Sequence, residues 1–169
     1  RALIAGDRIV MGDARERRPV EVPVGYALEQ DRPCGGARLR IVPGPQIVAH
    51  PGALDKLCRT RFTVSPQSNR MGYRLSGGTI HSAGDSDATM ISDAAFIGGV
   101  QMPPSGDPIL LMADRQTVGG YPQLATVITA DLSRAAQLAP GDWVEFDMCT
   151  RAAAGAALMA EEELFRALR

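Results

Sequence analysis

No apolar run in this chain approaches the length of a membrane span. Its hydrophobic residues come in short stretches closed by glycine or proline. Such stretches can be buried as strands far more readily than as helices. Residues 38–42 alternate and run into Pro43-Gly44-Pro45, a strand entering a turn. Residues 61–64 and 73–75 read as two more strands, the second closed by Gly77-Gly78. Residues 96–102 read as a strand that Gly98-Gly99 interrupts with a bulge or a close backbone approach. The run 109–112, bounded by Pro108 and Asp114, fits a strand buried on both faces. Residues 125–129, mostly β-branched, read as another strand, and residues 143–146 form the last predicted strand.

Helices are few. Residues 131–138 are predicted helical with Asp131 as the capping residue, and residues 51–57 form a weaker helical stretch. Residues 150–169 read as a helix capped by Thr150, with Leu158, Phe165 and Leu168 on one face and Glu162 four residues before Arg166. Residues 13–36, rich in proline, glycine and charge, read as a long excursion between strands. Residues 3–10 faintly echo residues 138–145, each with a Gly-Asp turn before a strand, as shared turn chemistry or a true repeat would give. Many short strands, Gly/Pro turns and few helices predict a mainly β fold, a closed or nearly closed barrel. Residues 1–149 are expected to form that barrel domain and residues 150–169 the C-terminal helix.

At 169 residues the chain suits one domain with a real core. A net charge of -1 provides no bulk field toward nucleic acid or anionic lipid. The densest basic cluster, Arg15, Arg17 and Arg18, is broken by Glu16 and reads as a solvated loop. Cys34, Cys58 and Cys149 are scattered, which argues for thiols in a reducing cytoplasm rather than disulfides or zinc. No signal peptide is visible, and a start at Arg1 rather than methionine suggests a fragment of a longer protein.

The chain contains no phosphate-binding loop, and its single lysine, Lys56, lacks a glycine-rich context. With two histidines, His50 and His81, a His-rich metal site is ruled out, and no metal is expected. His81-Ser82 with Asp85 and Asp87 lacks the strand–turn–helix context of a nucleophile elbow and reads as a polar loop. Two constellations remain. In the first, the apolar strand 109–112 ends in Asp114, Arg115, Gln116 and Thr117, followed by Gly119, Gly120 and Tyr121. Polar groups at a strand end beside flexible glycines are a common way to build a site, although a self-satisfied hairpin loop has the same composition. Arg115 offers a fork for a carboxylate or phosphate, and Gln116 can pair with an amide. Asp114 could act as a base or hold Arg115. In the second constellation, Asn69 and Gly72 flank Arg70, with Arg74 four residues on. If strand periodicity holds there, the two arginines share a face and form an anion site, unless carboxylates pair them.

The motifs Ser68-Asn69-Arg70-Met71-Gly72-Tyr73-Arg74-Leu75, Gln101-Met102-Pro103-Pro104 and Ala113-Asp114-Arg115-Gln116-Thr117-Val118-Gly119-Gly120-Tyr121-Pro122 resemble, in order, those of one family. It is the family that holds the C component of 5-oxoprolinase and the second of the two allophanate hydrolase subunits. Val42-Pro43-Gly44-Pro45-Gln46 and Leu138-Ala139-Pro140-Gly141-Asp142 extend the match to nearly the whole chain. Val118 stands where the pattern has threonine, and residues 88–96 match less well. The resemblance is to the C-terminal half of the family. It implies a cyclophilin-like β-barrel. It also implies work with the B component of 5-oxoprolinase, itself related to the first of the allophanate hydrolase subunits, and with the A component. The reaction so implied is ATP-dependent hydrolysis of 5-oxo-L-proline to L-glutamate. Asp114, Arg115, Gln116 and Tyr121 are then expected to serve catalysis. Asn69, Arg70, Arg74, Gln101, Thr117, Gly119 and Gly120 are expected to bind a small amide or lactam. This chain alone is expected to bind no cofactor and to be inactive. Two alternatives share the resemblance. One is a urea carboxylase-type carboxyltransferase with biotin on another chain, and the other is a non-catalytic regulator that binds a kinase-inhibitor-like partner. All three place the chain in the cytoplasm.

Overall fold

The computed structural model describes residues 6–8, 33–80 and 92–167. Nine strands are described: β1 (Gly36–Pro43), β2 (Phe62–Val64), β3 (Gly72–Ser76), β4 (Asp93–Ala94), β5 (Gly99–Gln101), β6 (Ile109–Leu111), β7 (Val118–Gly119), β8 (Gln123–Val127) and β9 (Trp143–Met148). Seven close a barrel in the order β1-β8-β5-β6-β3-β2-β9, with β9 returning to pair with β1. The β1–β9 pair is parallel and its neighbours are antiparallel. The remaining two strands, β4 and β7, form a separate ribbon. The barrel expected from the short strands is therefore present.

Alternation decides which way each strand faces. In β1, Ala37, Leu39 and Ile41 point into the barrel while Arg38 and Arg40 stay outside. In β9, Val144 and Phe146 point in and Glu145 faces out. The parallel register sets Arg38 beside Glu145. Glu145 accepts from Arg38 Nη2 at 2.8 Å and from Arg61 Nε at 2.7 Å. Those two bonds, Arg38's first, hold its carboxyl below the usual range. Inside, Phe62 and Phe146 pack with ring centroids 6.0 Å apart and planes tilted 58°. Helix α1 (Ala53–Arg59) adds Ala53 and Leu57 to this core. Each large aliphatic or aromatic side chain among these contributes about 1.5–3 kcal/mol on burial.

Several elements differ from the sequence reading. Residues 96–98 are not strand: Gly99 N–H closes a turn onto the Phe96 carbonyl at 3.0 Å, and Gly98 takes φ 78°. The bulge falls two residues later, between Val100 and Gln101. Thr129 leaves β8 to start a 3-10 turn, Thr129–Asp131, which leads into α2 (Leu132–Ala135). Asp131 makes no side-chain cap there. Its carboxylate is instead turned onto β1, where Arg40 supplies three donors. Residues 3–5 and 9–10 of the echo, most of the 13–36 excursion, and Arg15, Arg17, Arg18, His81, Ser82, Asp85 and Asp87 lie outside the described residues. Within the echo, Gly6 and Gly141 both adopt left-handed φ, 95° and 96°, as a shared turn requires.

Helix α3 (Arg151–Ala167) follows the barrel. Thr150 Oγ1 accepts from Ala153 N–H at 3.1 Å, the expected cap. Arg166 reaches Glu162 at 3.5 Å. Leu158 is half-buried, whereas Phe165 is 48% exposed, so the helix covers little with its outer turns. Leu168 lies outside the described residues. Thr150→Ala should weaken the first turn by about 1 kcal/mol, read as roughly fivefold faster hydrogen exchange at Ala153 N–H; unchanged exchange would show that the cap contributes nothing. Among the described residues no helix is long and apolar enough to cross a membrane.

Candidate functional site

A cleft of about 190 Å3 lies on the outer wall of the barrel, over strands β3, β6 and β5. Strand alternation builds its floor. Leu110 of β6 points into the core, so Ile109 and Leu111 on either side of it face out. Register then places Gly72 beside Leu111, Arg74 beside Ile109 and Gln101 beside Ile109 on the far side. All five line the cleft. The loop after β6 folds over this floor and supplies Arg115, Gln116 and Tyr121. The turn before β3 supplies Gln67, Asn69 and Met71. Asn69 Oδ1 is used within that turn, accepting from Met71 N–H at 2.9 Å.

Two guanidiniums face the cleft. Arg115 Nε donates to the Ala95 carbonyl at 3.2 Å and Nη1 to the Ala113 carbonyl at 3.5 Å. Among the described residues, neither Arg115 nor Arg74 forms an ion pair. Gln101 is 3% exposed, and it lines the cleft. Among the described residues, the lining carries no carboxylate, imidazole or thiol. The described lining therefore offers anion binding and amide recognition, with the Tyr121 hydroxyl beside them.

Of the residues expected to act here, the fold brings together Asn69, Arg74, Gln101, Arg115, Gln116 and Tyr121. Arg70 and Asp114 do not join them. Arg70 sits in the tight turn where Asn69 and Gly72 exchange backbone hydrogen bonds of 3.1 and 3.2 Å, so strand periodicity does not carry it to the face of Arg74. It pairs instead with Asp114, Nε to Oδ2 at 2.9 Å, with Arg70 85% exposed. Asp114 thus pairs with Arg70 at the surface rather than with Arg115, and it does not line the cleft. Thr117, Gly119 and Gly120 do not line the cleft. The Thr117 carbonyl accepts from Ala95 N–H at 2.9 Å. Gly119 is buried where a Cβ would come within 2.9 Å of Gln101 Nε2 and 3.3 Å of Gln116 Nε2, so its lack of a side chain lets the two amides converge. Gly120 has open space around it. Sequence reasoning missed Gln67, Met71, Ile109 and Leu111 as lining residues. The alternation around buried Leu110 was the available signal for the last two. Among the described residues, no group of His, Cys, Asp and Glu side chains could hold a metal ion.

Residues 1–148 match the family model of the carboxyltransferase domain, subdomain A and B. The chain is 36% identical over 151 residues to the C component of 5-oxoprolinase from Escherichia coli (strain K12), covering 89% of this chain and 46% of that protein. Over 89 residues it is 47% identical to the C component of 5-oxoprolinase from Haemophilus influenzae, covering 53% of this chain and 28% of the relative. It thus spans less than half the length of these curated relatives. The crystal structure of TTHA0988 is similar with a TM-score of 0.61 at 36% identity, over 73% of this chain and 23% of that one. The Kluyveromyces lactis urea carboxylase gives a TM-score of 0.69 at 20% identity, over 79% of this chain and 12% of that one, a likeness of fold alone.

Proposed function

The chain belongs to the carboxyltransferase domain family, subdomains A and B, and on that premise we propose that its cleft is one wall of the substrate site of a 5-oxoprolinase complex. The observation that carries this reading is the convergence on one cleft of two guanidiniums without carboxylate partners among the described residues, Arg74 and Arg115, with the side-chain amides of Gln101 and Gln116. A carboxylate next to a lactam presents the complementary groups: an anion for the arginines, and an amide N–H and carbonyl for Gln101 and Gln116. Ile109 and Leu111 would seat the ring carbons. This wall binds and orients. Among the described residues no cleft side chain is a carboxylate or imidazole, so the base or nucleophile that opens the lactam would come from outside them. The relatives, each named as one lettered component of 5-oxoprolinase, support a place in an assembly. On this reading the partners are the A and B components, and ATP is handled on another chain.

The test is turnover of 5-oxo-L-proline by a complex reconstituted from this chain and its partner components. Arg74→Ala should raise KM roughly tenfold, the loss of one charge-assisted contact at an exposed position. An unchanged KM would reject Arg74 as a substrate contact. The family's name favours a second reading, carboxyl transfer to a small amide from biotin on another chain. The same cleft would then bind the acceptor amide, and biotin-dependent carboxylation without lactam hydrolysis would decide for it.

A further inference from the structure

The segment Pro43-Gly44-Pro45-Gln46 lies outside the cleft, yet Gln46 reaches two distant parts of the chain. Its Oε1 accepts from Gln123 N–H on barrel strand β8 at 3.1 Å. Its Nε2 donates to Asp93 Oδ2 on β4 at 2.9 Å. The other oxygen of Asp93 accepts from Ala94 N–H at 2.7 Å. One side chain therefore ties the β4–β7 ribbon to the barrel, and the ribbon holds the cleft from behind. Asp93 pairs with Gly119, against which the amides of Gln101 and Gln116 pack. Ala95, just past β4, bonds Thr117 through its N–H and Arg115 through its carbonyl.

We propose that Gln46 is a positioning residue: by bracketing the ribbon to β8, it fixes Arg115 and the Gln101–Gln116 pair in the cleft. The proposal deepens the substrate-site reading above and shares its premise that the cleft binds ligand. The identity of the residue follows from its two partners. A backbone N–H needs an acceptor and a carboxylate needs a donor, and a primary amide presents both from one planar end. Glutamate at this position could still accept from Gln123 but would set its carboxylate against that of Asp93. Lysine could meet Asp93 but not the Gln123 N–H.

The test uses the assembled complex with Q46E, D93N and Q46E/D93N. Two quantities are read: the rate at which phenylglyoxal modifies Arg115, by mass spectrometry with Arg74 as internal reference, and KM against kcat for 5-oxo-L-proline. In Q46E, Arg115 should react about fivefold faster relative to Arg74, and KM should rise by a similar factor with kcat nearly unchanged. D93N leaves one oxygen to serve both Gln46 and Ala94 N–H, and should fall between wild type and Q46E. In Q46E/D93N the asparagine oxygen keeps Ala94 N–H while its amino group donates to the new carboxylate, and both readouts should recover. A purely steric or global folding effect would not be rescued by that swap. Equal Arg115 reactivity in wild type and Q46E, a faster Arg115 without any rise in KM, or no recovery in the double variant would overturn the proposal. If the wild-type complex does not turn over 5-oxo-L-proline, the substrate reading fails by itself, and the Arg115 reactivity still decides whether the bracket exists.

Discussion

A complex carrying Arg115→Ala should turn over 5-oxo-L-proline with kcat/KM roughly ten- to a hundredfold below wild type, with assembly and folding intact. That range is the value of a hydrogen-bonded charge pair, about 1.5–3 kcal/mol, converted to a rate ratio. Arg115 is expected to matter more than Arg74 because it is less exposed and already held: its Nε is bound to the Ala95 carbonyl, so little freedom is lost when it meets an anion. Arg115→Lys should recover only part of the loss, since an ammonium cannot hold Ala95 and fork onto a carboxylate together. Full activity in Arg115→Ala would remove this residue from the substrate site.

The largest effect on stability is expected at Asp131. It is 2% exposed and receives Arg40 N–H at 2.7 Å, Arg40 Nε at 3.0 Å and Arg40 Nη2 at 2.6 Å. Asp131→Ala leaves a backbone donor and a guanidinium without their acceptor and should cost about 3 kcal/mol, read from urea unfolding. The pH dependence has a definite sign. Burial pushes the Asp131 carboxyl up, but the hydrogen bonds from Arg40 and its charge outweigh that, and the net shift is downward. A carboxyl with a depressed folded pKa stabilises fully above its unfolded value of about 3.9, and the contribution is lost as pH falls through the lower folded value. The stability gap between wild type and Asp131→Ala should therefore be constant near neutral pH and narrow below about pH 4. A gap independent of pH would mean that the carboxylate charge plays no part.

The barrel was legible because its strands carry their facing in alternation. Arg38-Leu39-Arg40-Ile41 states which side is wet, and a parallel partner with Val144-Glu145-Phe146 repeats the pattern. Long-range pairing was not legible. Asp131 has the sequence position of a helix cap, and local rules assign it there. The fold overrides them because Arg40, 91 residues away, presents a stronger set of donors. Arg70 and Arg74 show the same limit. Their spacing suggests one face only if the chain between them is extended, and the Asn69–Gly72 turn breaks that condition. Six cleft residues, Asn69, Arg74, Gln101, Arg115, Gln116 and Tyr121, were found in the sequence because their motifs meet across β3, β6 and β5. Gln46 and Asp93 were not identified as support for the site. Nothing in a single chain tells which distant carboxylate a glutamine will meet.

If the cleft arginines, and not the Arg70–Asp114 pair at the surface, hold the substrate carboxylate, binding itself must separate them. Equilibrium binding of 5-oxo-L-proline to the reconstituted complex, measured calorimetrically with wild type, Arg70→Ala and Arg115→Ala, is the most direct measurement. Arg70→Ala should bind within about twofold of wild type, as expected for an exposed ion pair, while Arg115→Ala should bind at least roughly tenfold more weakly. Wild-type affinity in Arg115→Ala, or an equal loss in Arg70→Ala, would contradict the assignment of the carboxylate to the cleft.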